Sequence, residues 1–183
     1  TEKFYQHLTL THLQPVLDTL RWIKQESSVW LEITNLIIPE QNDDPSQLRE
    51  LCDWICKNLG DDVPLHFSAF HPDYRMMDTP ATPHGALIRA WEIARHAGLK
   101  YAYVGNVLDP KRDSTYCPGC NRRLIERHWH DVREYALDQN RCRFCGHELA
   151  GRFGDQPGHW GTRRLPVDPA SLLRMIDRGD DQS

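Results

Sequence analysis

Apolar residues recur every three or four positions over three stretches of the first hundred residues. Short runs rich in β-branched and aromatic residues separate them. From Thr11 to about Gln25, Leu13, Val16, Leu17, Leu20 and Ile23 fall on one stripe and predict a helix. Pro15 suits its first turn, where a missing N–H costs nothing. Val29–Ile38 (VWLEITNLII) predicts a strand that stops at Pro39, and 40–44 is a polar loop. Asp44 then offers a cap, Pro45 a first turn and Gln47 the capping-box position. Leu48, Leu51, Cys52, Ile55 and Leu59 form the buried stripe of that second helix, and Gly60 its stop. Pro64–Phe70 (PLHFSAF) predicts a second strand, followed by a loop over 71–81. Thr82 is expected to cap a third helix, with Pro83 at its start, Leu87, Ala90, Trp91 and Ala94 along its face and Gly98 at its end. Lys100–Val104 predicts a third strand.

Helices that alternate with strands imply parallel strands joined by right-handed crossovers. Three strands make a thin sheet, so the expectation is part of a larger α/β barrel or open sheet. From Asp109 onward Arg, Gly, Cys and Trp accumulate and helical periodicity fades. This divides the chain into an α/β unit over 1–108, a cysteine module over 109–155 and a tail over 156–183. The tail holds one short amphipathic stretch, Ser171–Ile176, and a frayed end at Arg178–Asp181.

Composition narrows the class. The chain has 183 residues, 39% hydrophobic and 26% charged, enough for a packed core. It contains no apolar run of about 18 residues, so no membrane span is expected, and Thr1-Glu2-Lys3-Phe4-Tyr5 does not open a signal peptide. The absence of an initiator Met fits a processed product or an excerpt of something longer. Net charge is −4, yet residues 111–164 carry 11 Lys and Arg against 7 Asp and Glu. An excess of that size is a weak electrostatic footprint, so nucleic acid is not the expected partner. Six cysteines without an export signal point to a reducing compartment and a cytoplasmic protein.

Four of those cysteines carry the clearest chemistry. Cys117-x2-Cys120 and Cys142-x2-Cys145 are separated by 21 residues. Two residues between thiolates let a tight turn aim both sulfurs at one ion, and two such turns complete a tetrahedron. Pro118 and Gly119 in the first knuckle, and Gly146 after the second, supply turn geometry. Four cysteines leave no open coordination position, which predicts a structural zinc ahead of a rubredoxin-like iron or an Fe–S cluster. His128, His130 and His147 are read as surface residues beside a shell already full, and Cys52 and Cys56 as inert helix thiols.

Buried parallel strands read as continuous apolar runs. Here Glu32, Thr34 and Asn35 interrupt the first, and His66 and Ser68 the second. Glu32 and Thr34 share one face, as do His66 and Ser68, because the side-chain period is two. A shared polar face suggests a wet cavity such as a barrel lumen. Asn35, Phe70 and His71 approach the C-terminal strand ends, where α/β folds bind ligands.

Several strings together carry a family resemblance: His12-Leu-Gln-Pro-Val-Leu-Asp-Thr-Leu, Val29-Trp-Leu-Glu-Ile-Thr-Asn-Leu-Ile-Ile-Pro, Pro64-Leu-His-Phe-Ser-Ala-Phe-His-Pro, Tyr103-Val-Gly-Asn-Val and Ser114-Thr-Tyr-Cys-Pro-Gly-Cys. Over nearly all of residues 1–155 the chain resembles the C-terminal portion of the radical SAM enzyme of the AmmeMemoRadiSam system, itself similar to the activating enzymes of pyruvate formate-lyase and other glycyl-radical enzymes. The resemblance implies late strands of a partial (β/α) barrel followed by a four-cysteine zinc ribbon. It implies a [4Fe–4S] cluster and S-adenosylmethionine as cofactors. The complete enzyme reduces the cluster, cleaves the sulfonium and generates a 5′-deoxyadenosyl radical. Ala69-Phe70-His71 is similar to the family's Pro-Tyr-His, which implies that His71 lies beside S-adenosylmethionine. The strand containing Thr34 and Asn35 would be the preceding barrel strand, which makes Thr34, Asn35, Glu32 and His66 candidate cofactor-binding residues beside His71. The stretch 32–39 departs from the relatives in having no Arg.

The family's cluster motif, C-x3-C-x2-C, and its Gly-Gly-Glu strand end are not in this sequence, whose start matches a point just after the family's fifth strand. Cys52 and Cys56 have C-x3-C spacing but no third cysteine. The expectation is a fragment, a truncated frame or one half of a split enzyme, whose partner is the missing N-terminal barrel half. Without that half it should not cleave S-adenosylmethionine. Proteins of the MEMO and AMMECR types follow as partners from the same resemblance. The alternative is a stand-alone zinc-ribbon protein that binds a protein or nucleic acid. A zinc hydrolase is disfavoured, because a shell of four cysteines leaves no open position.

Overall fold

The structure, a computed structural model, describes residues 1–157. The predicted stretch Ser171–Ile176 and the end at Arg178–Asp181 lie outside the described residues. A short helix α1 (Glu2–Phe4) runs into a π-helical turn (Tyr5–Thr9), and α2 spans Leu13–Glu26. Then come β1 (Ile33–Ile37), α3 (Pro45–Asn58), β2 (Leu65–Ala69), α4 (His84–His96) and β3 (Ala102–Gly105). The three strands form a parallel sheet in the order β1-β2-β3. That is the alternating order expected from periodicity.

Register assigns the two faces. Ile37, Leu65, Phe67, Ala102 and Val104 point to one side and are buried with Leu48, Ile55, Leu87, Ala90 and Ala94 of α3 and α4. Thr34, Leu36, His66, Ser68, Tyr103 and Gly105 share the opposite side, and none of them is fully buried. The densest apolar set lies on one face and draws both helices to that face, while the other face is mixed and carries polar residues. α2 docks beside α3 through Arg21–Asn58 (3.2 Å) and Lys24–Asp62 (3.0 Å), but none of its residues is fully buried.

Two predicted details change. The first strand is shorter than Val29–Ile38, because pairing begins only where Ile33 N–H meets the Pro64 carbonyl (2.9 Å), and Val29 stays 68% exposed. Thr82 does not cap α4; Pro83 occupies that position without a side-chain bond. The buried Thr82 hydroxyl instead donates to Ile37 O and accepts from Phe70 N–H, tying the C-terminal ends of β1 and β2 together. Asp44 caps α3 as expected, accepting from the N–H groups of Ser46 and Gln47.

After β3, Asp109 caps a single helical turn, α5 (Pro110–Asp113). β4 (Thr115–Tyr116), β5 (Arg123–His128) and β6 (Asp131–Tyr135) form an antiparallel sheet, and β7 (Leu137–Asp138) pairs with β8 (Arg141–Cys142). Their small core contains Leu124, Ile125, Leu137 and Leu149. Tyr101, just before β3, is buried in that same core, and Tyr103 packs on it. The change in composition near 109 therefore marks a change of element type, and the packing runs across it. Among the described residues no helix is long and apolar enough to cross a membrane.

Candidate metal centre

The two knuckles have the same backbone plan. In the first, Cys117 N–H donates to Arg122 O (2.9 Å), Asn121 N–H to Cys117 O (2.9 Å) and Gly119 N–H to Cys117 Sγ (3.3 Å). In the second, Cys142 N–H donates to His147 O (2.9 Å), Gly146 N–H to Cys142 O (2.8 Å) and Phe144 N–H to Cys142 Sγ (3.4 Å). The offsets are identical: five residues on, four on and two on. The turn needs a left-handed residue four after the first cysteine. Asn121 supplies it at φ 58° and Gly146 at φ 73°, the two residue types that tolerate it best. N–H groups aimed at sulfur favour the thiolate, the form that binds metal.

The four Sγ atoms all lie within 4.8 Å of one another. Cys117 to Cys145 is 3.6 Å and Cys120 to Cys142 is 3.8 Å. Those separations are too long for disulfides, whose sulfurs sit at about 2.05 Å. A tetrahedral Zn–S shell of about 2.3 Å requires sulfurs about 3.8 Å apart, so the pocket has the size of a four-thiolate zinc. Cys117 and Cys142 are buried, Cys120 is half-buried and Cys145 is exposed. Burial pushes the Cys117 thiol up. At Cys142 burial is outweighed by N–H donors from Phe144 and Cys145 and by the neighbouring thiols, which bring it down to about 7. Cys145, despite an N–H from His147, is pushed up to about 12 by desolvation and by the three other sulfurs. Four thiolates cannot crowd together unaided. A divalent cation removes the repulsion, so these four cysteines suit a bound metal.

The other predicted residues split into three groups. Glu32, just before β1, accepts from His66 Nε2 (2.8 Å) and from Trp30 Nε1 (2.8 Å). The His66 bond, ahead of the Trp30 bond and partly opposed by burial, holds the Glu32 carboxyl below its ordinary range. His66 stacks on the Tyr103 ring at 5.0 Å. The chain of contacts continues into the ribbon, from Tyr103 OH to Thr115 Oγ1 (3.0 Å) and from Arg127 Nη1 to the same oxygen (2.8 Å). A cavity of about 180 Å³ opens at this seam. It lies at the N-terminal ends of the strands. Thr34 is exposed beside His66 in register. Asn35 stands on the opposite, helix-covered face in register with Phe67, and its Oδ1 is buried without a hydrogen-bond partner among the described residues. Strand parity thus sets Asn35, expected as a cofactor-binding candidate, on the face opposite Thr34 and His66. His71 is exposed beyond the far, C-terminal end of β2 and does not meet Glu32 or His66.

Sequence reasoning missed Tyr103, Thr115 and Arg127. The alternation Tyr101-x-Tyr103 was a usable signal, since it puts two large aromatics on one face of an otherwise small-residue strand. Nothing local marked Thr115 or Arg127.

No protein-family model matches the chain. The uncharacterized protein MJ0808 of Methanocaldococcus jannaschii is 40% identical over 148 residues, which cover 80% of this chain. The chain spans 44% of that protein's length.

Proposed function

We propose that the chain is the late-strand portion of a radical SAM enzyme of the activating type, with a structural zinc ribbon packed against the N-terminal end of its sheet. One observation carries this reading: three parallel strands with helices on a single face and a polar, partly open second face. A segment of a (β/α) barrel has this form, because its inner face meets the lumen and not a second helix layer. The relative's greater length is consistent with further strands supplied by another segment. In the complete enzyme the [4Fe–4S] cluster would supply the electron that cleaves S-adenosylmethionine. Within this chain Thr34 and Ser68 would line the lumen wall, and His71 would stand at the C-terminal strand ends. Glu32 and His66 hold the opposite end of the lumen face to the ribbon, a positioning task. Proteins of the MEMO and AMMECR types are the partners the resemblance offers.

The test is anaerobic Fe/S reconstitution of this chain and of the complete natural gene product. The reading expects one zinc and no cluster in this chain. The complete product should carry zinc and a cluster together, and form 5′-deoxyadenosine from S-adenosylmethionine under reduction. A complete product that takes up no cluster sinks it. So does a cluster in this chain that is lost on Cys117→Ser, which would make the ribbon a redox site. A second reading, a ribbon that binds a partner, has one specific support: exposed Phe144 at the knuckle tip with Arg122 stacked on its ring at 4.7 Å. Salt-sensitive nucleic-acid binding lost on Phe144→Ala would favour it.

A further inference from the structure

A second cavity, larger than the one at the seam, has no part in the function proposed above. It measures about 330 Å³ and lies between α4, the start of β3 and the first cysteine knuckle. Trp91, Tyr101 and Tyr116 provide aromatic walls, and the lining is mainly apolar. Three cations reach it: Arg95, Lys100 and Lys111. Small-molecule sites combine an apolar, aromatic wall with a few placed polar groups in about 300–1,000 Å³. A volume at the low end of that range suits a ligand no larger than a mononucleotide, with one planar ring to stack and one charged group, not a dinucleotide.

The cations are unequally committed. Arg95 Nη1 is pinned by the carbonyls of Leu99 (2.7 Å) and Lys100. Its guanidinium is thereby fixed at the rim without meeting a carboxylate among the described residues. Lys100 pairs with Asp61 at 3.0 Å, where both side chains are about half exposed and the pair is easily exchanged. Lys111 is exposed and meets no carboxylate among the described residues. Trp91 is immobilised, its Nε1 donating to Ala102 O (2.9 Å) and its ring covered on one side by Arg112 at 5.4 Å. A fixed aromatic wall lowers the entropy lost on stacking a planar ligand. Ser114 and Tyr116 line the same space, and the Ser114 hydroxyl donates to Pro110 O (2.6 Å).

The geometry points to a binding site for a nucleoside monophosphate, with the base stacked against the aromatic wall and the phosphate met by Lys111, Arg95 and Lys100. The site does not depend on the radical reading. It lies beside the strand that closes the sheet, away from the C-terminal strand ends. Its wall includes Cys117 and Pro118, so a loaded metal knuckle is part of the construction.

Isothermal titration of the zinc-loaded full chain tests this, with adenosine monophosphate as the probe. Adenosine, inorganic phosphate and 4-hydroxyphenylacetate are the comparisons. Saturable binding of the monophosphate is expected, at least about tenfold tighter than either half alone. Lys111→Glu, on the exposed surface of α5, should weaken it about tenfold, and Lys57→Glu, an equal charge change on α3, should not. No saturation by adenosine monophosphate at millimolar concentration overturns the assignment. So does a Kd equally insensitive to both variants, or saturation by 4-hydroxyphenylacetate alone.

Discussion

The α/β unit and the cysteine module solve the same problem with different materials. The first buries fourteen residues in one cluster, among them Phe67, Ile55 and Leu87, between a sheet and two helices. The second buries eight, two of which are Cys117 and Cys142 of the four-cysteine cluster, and one of which, Tyr101, comes from just before the first unit's last strand. Small modules with so little apolar surface need a staple, and four converging thiols provide it. The lesson is that the ribbon has two supports, a four-cysteine site fit for a metal on one side and the sheet on the other, whereas the sheet's helix-covered core has neither.

Metal removal should separate the two regions most widely. Structural zinc contributes about 10–16 kcal/mol in isolated zinc modules, much of it as folding free energy. Chelation, or Cys117→Ser, is expected to abolish stoichiometric zinc and erase amide-exchange protection over β5 and β6. Protection in α3 and α4 should stay. Full protection of β5 without metal would show that packing on Tyr101 and Tyr103 suffices, and the contrast would be wrong.

The reverse experiment has a smaller effect. Phe67 is fully buried between β1, β3 and the helices. Phe67→Ala should cost about 3–5 kcal/mol, read by denaturant unfolding of the helical signal. The purified folded fraction should still bind one zinc. Loss of zinc in proportion to the loss of helix would mean that the two regions fold as one unit.

What could be read in advance follows from how local each cause is. Element order and the α3 cap rest on periodicity and on neighbours such as Asp44 and Pro45, and the metal site on a spacing of two residues. All are visible within a few positions. The shared knuckle plan was half visible: Gly146 announces its left-handed turn, but Asn121 does so only once its N–H is seen on Cys117 O. Thr82 was misread because a Thr before a Pro-started helix fits a cap equally well. Its actual bond goes to Ile37, 45 residues away, and no local pattern encodes that distance. Asn35 was misplaced because strand ends were weighed above parity. The seam from His66 to Arg127 required knowing that a ribbon folds back onto the sheet, which depends on tertiary packing alone.

That seam offers the finest probe of the comparison, since it is where the two regions touch. Glu32 accepts from His66 and Trp30, with Arg127 of the ribbon adding a favourable field, and its carboxyl is lowered from the ordinary 4.5. A carboxyl lowered in the folded state adds stability above its unfolded value, and that contribution is lost as pH falls through the folded value. The window is therefore below about pH 4.5. Glu32 is about half exposed, so solvent screens the pair and the effect should be about 0.2–1 kcal/mol. Glu32→Gln keeps an oxygen for Trp30 Nε1 and removes the charge. The melting-temperature gap between wild type and Glu32→Gln should be about 0.5–4 °C at neutral pH and close as the solution is acidified below about 4.5. A gap that stays constant into that range would mean the Glu32–His66 contact holds the seam by shape, and that its charge contributes nothing.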